Sequence, residues 1–332
     1  MKQKNLFVIS PYHYCHSVAT LIEGLNKSDV IKVLSNTNHN YCKYPVYSLQ
    51  AQTQVAKMAD YVLLAHSALE EKYKGKIKPL LDEIKEEVNI FLDGSDYFHY
   101  EDNPDKYKFY LKRELRFSTF VRTFASDSTK SNGQFKNVEP FIFGAEDRYF
   151  TKGQIEHSSL WETKTDDLVC MMSVCEKREH RFEIMKSLED AFEGNDKVFV
   201  GEFREGDKLE AIDTGDRHHS GYFDKLLNAR ISVDAYGCAD ARQTGRFWES
   251  LANGCLLFYQ PIEPYIWNHP FINGEDFIMY NDNKELIDKA KYYLSNESEA
   301  KEIASNGYNK LLQHHTTEQR GAQFLSLLKK YL

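Results

Sequence analysis

Five residues within one short stretch carry the clearest chemistry in this chain: Arg242, Thr244, Gly245, Arg246 and Glu249, in the run RQTGRFWESLANGCLLF at 242–258. The run reads as loop, helix, turn and buried strand. The Thr244 hydroxyl is expected to cap the helix start, and Gly254 to end the helix in the left-handed conformation. Phe247 and Leu251 are four residues apart, so they share a face that packs inward. Leu256, Leu257 and Phe258 read as a buried parallel strand. By this count Arg242, Arg246 and Glu249 lie off the packed face. Two cations at a helix start oppose the positive end of its dipole. An anion there would remove the conflict, meeting backbone N–H groups and two guanidinium forks together. Glu249, one turn on, is placed to accept from a pair of hydroxyls. Anion and diol on one short helix describe a nucleotide sugar; a surface helix with solvated charges is the alternative.

The elements that must position these residues follow from hydrophobic periodicity. Strands are expected at 5–10, 31–34, 61–65, 89–92 and 138–143, with helices at 18–25, 51–58, 69–88 and 106–115. After a polar linker at 151–167 come strands at 168–174, 197–201 and 229–235, then the 242–258 run. Further helices are expected at 181–192, from Tyr222, and at 285–294, 298–312 and 317–332. Such alternation implies parallel sheets with helices on both faces, and ligands at the carboxyl ends of the strands. The domains are read as 1–150 and 168–316, with 317–332 as a C-terminal helix.

A chain of 332 residues, 42% hydrophobic and 28% charged, suits two ordinary globular domains. A net charge of −8 argues against a broad nucleic-acid surface. The six cysteines form no CxxC pair and read as thiols in a reducing cytosol, so a cytoplasmic location is expected. The apolar run at the start is too short for a signal segment. No stretch reaches membrane-spanning length, which leaves room for peripheral membrane contact.

Two doubly wound domains facing a central cleft describe the GT-B architecture. The C-terminal half resembles the group-1 glycosyltransferases, and within them the spore-maturation (CgeB-like) set. The matching stretches are 242–258, Asn273-Gly274-Glu275-Asp276-Phe277, Glu285-Leu286, Ile303-Ala304-Ser305-Asn306-Gly307, and His315-Thr316 with Arg320. The first half matches in FLDGSD at 91–96 and KREL at 112–115. RFWE at 246–249 is also similar to the donor-site helix of phage DNA β-glucosyltransferases. There the arginine contacts the diphosphate and the glutamate holds the ribose hydroxyls, roles that carry onto Arg246 and Glu249.

The resemblance implies an α/β GT-B fold of two Rossmann-like doubly wound domains, with the final helix crossing back to the first. It implies transfer from a UDP- or GDP-sugar, as co-substrate and with no cofactor, to a saccharide hydroxyl. A DNA-base glucosyltransferase and a non-catalytic nucleotide-sugar-binding subunit are the alternatives. The phage enzymes place arginines after the first strand of the second domain; here Ser173, Lys177, Arg178 and Arg181 occupy that region. Their general base is an aspartate ending a first-domain strand, and Asp93 has a similar setting. Retaining relatives often carry a glutamate eight residues before the helix glutamate; Ala241 stands there, so inversion is expected.

The remaining candidates sit on the strand-end loops of the first half. Asp93 and Asp96 flank a Gly-Ser turn, and turn chemistry is the alternative for both. A base must reach the acceptor hydroxyl, and Asp93 directly follows its strand. His13 and His16 follow the first strand and could meet donor or acceptor. Lys112 and Arg113 belong to the basic, aromatic helix expected at 106–115 and could line an acceptor cleft. No metal is expected: Asp213, Asp234 and Asp240 are scattered, and cationic side chains with helix ends can hold a leaving diphosphate.

Overall fold

The structure is a computed structural model that describes residues 3–10, 15–37, 43–94, 102–113, 136–174, 179–204, 220–236, 243–262 and 268–332. His13, Asp96, Lys177, Arg178 and Arg242 lie outside the described residues, as does the side chain of Ser173. In chain order the first half contains β1 (Lys4–Ile9), α1 (His16–Asn26), β2 (Ile31–Ser35), α2 (Leu49–Met58), β3 (Tyr61–Ala65), α3 (Glu71–Ile84), β4 (Ile90–Asp93), β5 (Phe109–Lys112) and β6 (Val138–Pro140). Then come α4 (His157–Trp161), β7 (Asp166–Val174), α5 (Glu179–Ala191), β8 (Val198–Arg204), α6 (Ser220–Asn228), β9 (Ala229–Asp234), α7 (Gly245–Ala252) and β10 (Leu256–Tyr259). The chain closes with β11 (Ile278–Met279), α8 (Asn283–Ser295), α9 (Glu297–His314) and α10 (Thr317–Tyr331).

The chain divides into two units. The first holds Met1–Glu146, Pro264–Asn268 and His315–Leu332; the second holds Asp147–Glu263 and His269–His314. Each contains one parallel sheet, ordered β2-β1-β3-β4-β5-β6 in the first and β11-β10-β9-β7-β8 in the second. In both, the second strand lies outside the first and the chain then steps to the other side. The order therefore reverses at β1/β3 and at β7/β9, where carboxyl strand ends open a crevice for ligands.

Alternate residues of β1 explain why its sheet is covered on both faces. Leu6 and Val8 pack with residues of α1 and α10, while Phe7 and Ile9 pack with residues of α2 and α3. Strands buried on both sides read as continuous apolar runs. That property misleads at 106–115, where a helix was expected and β5 is found. Phe109, Tyr110, Leu111 and Lys112 are all buried between β4 and β6, and the aromatic residues suit a pleated strand. The polar stretch 151–167, read as a linker, folds locally and includes α4, whose Leu160 and Trp161 are buried. Among the described residues, no helix is long and apolar enough to cross a membrane.

The helices α1 and α10 meet backbone to backbone. A Cβ on Gly24 would lie 2.0 Å from the Thr317 carbonyl oxygen, and one on Gly321 would lie 2.6 Å from the Gly24 carbonyl. Ala normally stabilises an exposed helix by about 1 kcal/mol over Gly. Here Gly24→Ala should instead destabilise the protein by about 1–3 kcal/mol, because backbone atoms cannot give way as a side chain would. A fall in melting temperature checks this; an unchanged or higher one would refute the close approach.

Candidate functional site

The helix α7 starts at the carboxyl edge of the second sheet, beside the β7/β9 reversal. Thr244 takes the extended N-cap conformation but makes no side-chain cap bond. Its hydroxyl donates instead to Asp234 Oδ2 at 2.5 Å, while its N–H donates to the Tyr259 hydroxyl at 3.0 Å. The expected hydroxyl cap is thus corrected: the hydroxyl is oriented by a charge-assisted bond to a strand-end carboxylate and makes no cap bond. The Phe247 N–H donates to the Thr244 carbonyl at 3.2 Å, and the helix start has no side-chain cap from Thr244, which suits an anion. At the other end Gly254 takes φ 67°, as the sequence predicts.

Arg246 lies in the first turn. Its Nε donates to Asp234 Oδ1 at 2.9 Å and its Nη1 to the Met171 carbonyl at 2.7 Å. Asp234 ends β9 and Met171 lies in β7, so the guanidinium bridges the two strands at the reversal. Burial alone would draw the guanidinium down from its usual range, but the charges of Asp234 and Glu249 hold it above that range. Asp234 is therefore an anion for this helix start, supplied by the protein itself. Among the described residues the Nη2 edge of Arg246 makes no hydrogen bond, and the side chain keeps 17% of its surface against 1% for Asp234. A guanidinium has five N–H donors. The pair therefore leaves donors unspent without freeing the charge.

Glu249 sits one turn further on, three residues from Arg246 and on the same face. It is only 2% exposed, so its placement off the packed face is corrected. Its Oε2 accepts from the Tyr222 hydroxyl of α6 at 2.6 Å. A buried carboxylate needs such donors, since an unpaired one carries a desolvation cost of several kcal/mol. Arg181, expected to face phosphate, is buried in the first turn of α5. Its Nη2 and Nε donate to the Ala235 and Tyr236 carbonyls at 2.9 and 3.0 Å, so it shapes the segment after β9.

The first unit holds the acceptor-side candidates. Strand register sets Asp93 of β4 opposite Lys112 of β5, and Lys112 Nζ lies 2.9 Å from Asp93 Oδ2, with both side chains 0% exposed. Tyr110 Oη donates to the same oxygen at 2.5 Å. This corrects both expectations: Asp93 is a buried member of an ion pair, without the exposure an acceptor base needs, and Lys112 lines no open surface. His16 begins α1 and is 20% exposed, with its Nδ1 3.7 Å from Oε1 of the fully buried Glu146. Its ring lies 5.0 Å from Phe143, and the Arg113 guanidinium lies over the same Phe143 at 4.7 Å. His16, Arg113 and Glu146 thus form one group around Phe143. Sequence reasoning missed the parts played by Asp234, Tyr222 and Glu146. Asp234 alone left a local signal, a carboxylate closing a strand.

Residues 184–326 match the family model described as "Glycosyl transferase-like". The match runs from within α5 into α10 and includes Arg246 and Glu249. No curated protein sequence matches the chain. Among solved structures, HepE of Anabaena, crystallised with UDP-glucose, is similar with a TM-score of 0.63 at 8% identity, over 99% of this chain and 100% of that one. A glycosyltransferase of Rickettsia africae gives a TM-score of 0.60 at 10% identity, over 100% and 99% of the two chains. Sucrose-phosphate synthase of Thermosynechococcus elongatus gives 0.56 at 9% identity, over 99% of each. At such identities the likeness is one of fold. The chain accordingly has the α/β GT-B fold, with two Rossmann-like parallel-sheet units, and the sequence likeness to the glycosyl transferase-like model is confined to residues 184–326.

Proposed function

We propose that this protein is a nucleotide-sugar-dependent glycosyltransferase that moves a sugar to a saccharide hydroxyl. The observation that carries the reading is the pairing of Arg246 and Glu249 on one face of α7, at the sheet reversal. Arg246 and the uncapped helix start would hold the diphosphate; Glu249 would hold the ribose hydroxyls. The similarity of RFWE to the phage DNA β-glucosyltransferases supports both roles. HepE was crystallised with UDP-glucose and with UDP, which makes UDP the first nucleotide to test and GDP the second. Diphosphate charge grows as the glycosidic bond breaks, and Arg246 would stabilise it without a metal ion. Buried Cys170 and Cys255, which stand outside any disulfide, support a cytoplasmic location.

In the first unit, transfer with inversion needs a base for the acceptor hydroxyl. His16 carries that role better than Asp93. Its imidazole is part-exposed at the carboxyl edge of the sheet, and Glu146 behind Nδ1 would stabilise the imidazolium that forms as Nε2 takes the proton.

Glu249→Ala should weaken UDP or GDP binding by about 1.5–3 kcal/mol, the range for charge-assisted hydrogen bonds, with the fold intact. Calorimetry reads this, and unchanged affinity removes Glu249 from the site. Arg246→Lys should restore only part of the turnover lost in Arg246→Ala, because an ammonium cannot reproduce the fork. Full rescue would refute the fork. Loss of wild-type activity in EDTA, restored by a divalent ion, would overturn the metal-free route.

His16→Ala should retain donor affinity and lower turnover by about 10²–10⁴-fold, the range for a positioned base. Asp93→Asn should instead lower the melting temperature, since it leaves the Lys112 charge buried without its counter-ion at a cost of about 3–5 kcal/mol. Product configuration is read by NMR. A retained anomer sinks inversion, and normal turnover in His16→Ala sinks the base.

A further inference from the structure

We propose that Tyr222 is a positioning residue of the donor site, locking Glu249 through one carboxylate oxygen so that the rest of the carboxylate accepts from the ribose hydroxyls. This rests on the nucleotide-sugar reading above and names a residue that reading does not require. The Tyr222 hydroxyl donates to Glu249 Oε2 at 2.6 Å across 27 residues of sequence. Among the described residues it is the hydrogen-bond partner of that carboxylate, which is itself 2% exposed.

The Tyr222 ring is held from behind. It packs edge-on against Phe223 at 5.1 Å, and Phe223 stacks on Tyr149 at 6.3 Å. A glutamate side chain has high rotamer entropy, and ordering it on binding costs affinity. With Tyr222 in place, that ordering is complete before the nucleotide arrives. Chemistry fixes the direction of the bond as well. Burial, and then the Glu249 charge, raise the Tyr222 phenol well above its ordinary value, so it keeps its proton and remains a donor. An ionised carboxylate has about four acceptor positions. One goes to Tyr222, which leaves enough for two vicinal hydroxyls.

A donor that only fills space and a donor that orients Glu249 differ in one readout, the preference for a nucleotide bearing ribose hydroxyls over one lacking them. Calorimetry with UDP and 2′,3′-dideoxy-UDP, on the wild-type protein and on Tyr222→Phe, measures it. The GDP pair replaces the UDP pair if the wild type takes guanine nucleotides instead. The wild type should prefer the ribose form by about tenfold or more, as hydrogen bonds to a charged group imply. In Tyr222→Phe that preference should shrink by about fivefold or more, with dideoxy affinity held and the melting temperature lowered by the loss of the buried donor to Glu249. A preserved preference in Tyr222→Phe overturns the positioning role while leaving Glu249 in the site. Equal weakening of both nucleotides also overturns it, because the effect is then general. A wild type that binds neither pair, or shows no preference, brings down the ribose role of Glu249 and this inference with it.

Discussion

The second unit depends on one buried pair, Asp234 with Arg246. A guanidinium tucked under the start of a helix faces both desolvation and the positive end of the helix dipole. Asp234 answers both at once, because it ends β9 where α7 begins. Its two carboxylate oxygens divide the work: Oδ1 takes Arg246 Nε and Oδ2 takes the Thr244 hydroxyl. Its backbone carbonyl accepts from the Tyr280 hydroxyl, just past β11. Through Met171, Arg246 extends the network to β7. Strands from both sides of the sheet reversal are thereby fixed to one helix end. The Thr244 hydroxyl, drawn to Asp234, leaves the helix start without a side-chain cap.

Two buried carboxylate–cation pairs can be compared, and their surroundings separate their roles. Asp93 and Lys112 are neighbours in register on adjacent strands and have no exposed surface. Such a pair gains its Coulomb energy inside the sheet, and breaking it strands a charge. Asp234 and Arg246 are arranged differently: the acid is covered, and the cation keeps an open edge. Only the second geometry can meet a ligand without first being dismantled. The same contrast separates Asp93 from His16, which has the exposure that proton transfer from an incoming hydroxyl requires.

Periodicity made the fold legible in the sequence, and local chemistry made half of the site legible. The strand–helix alternation, the run ending in Gly254 and the Arg246/Glu249 spacing all follow from near neighbours in sequence. Lys112 was misread because a lysine among aromatic residues resembles the solvated face of a helix. Only the pairing with Asp93, on the next strand, makes its burial affordable in energy. Glu249 was placed off the packed face for a related reason. Its partner, Tyr222, lies 27 residues away on another helix, and no local pattern announces that choice. Asp234 was noted only as an isolated acid, because nothing in SVDAY says which cation a strand-end carboxylate will face. The unread part is therefore the set of partners chosen by sheet order and helix packing.

What remains is why α7 can present two groups in a fixed relation, given that it is only eight residues long. A helix so short is not stable alone and takes its order from packing. The buried face supplies part: Phe247 meets Tyr259, Phe271 and Phe277 edge-on at 5.3–5.6 Å. Mid-helix, the Ser250 hydroxyl shares a hydrogen bond with Ser232 of β9 at 2.8 Å. At the C-terminal end the buried Lys164 ammonium donates to the Asn253 carbonyl at 2.9 Å and to the Leu227 carbonyl at 3.1 Å. A cation there favours the negative helix end, and the same ammonium ties α7 to the end of α6, which carries Tyr222. Asn253 Nδ2 also donates to the Tyr149 carbonyl at 2.9 Å. Both ends of the helix are thus bonded to the body of the unit, and α6 is bonded to α7 at Lys164 as well as at Glu249. Groups held this way lose little further freedom when a ligand arrives, which is the condition under which a few hydrogen bonds give specificity.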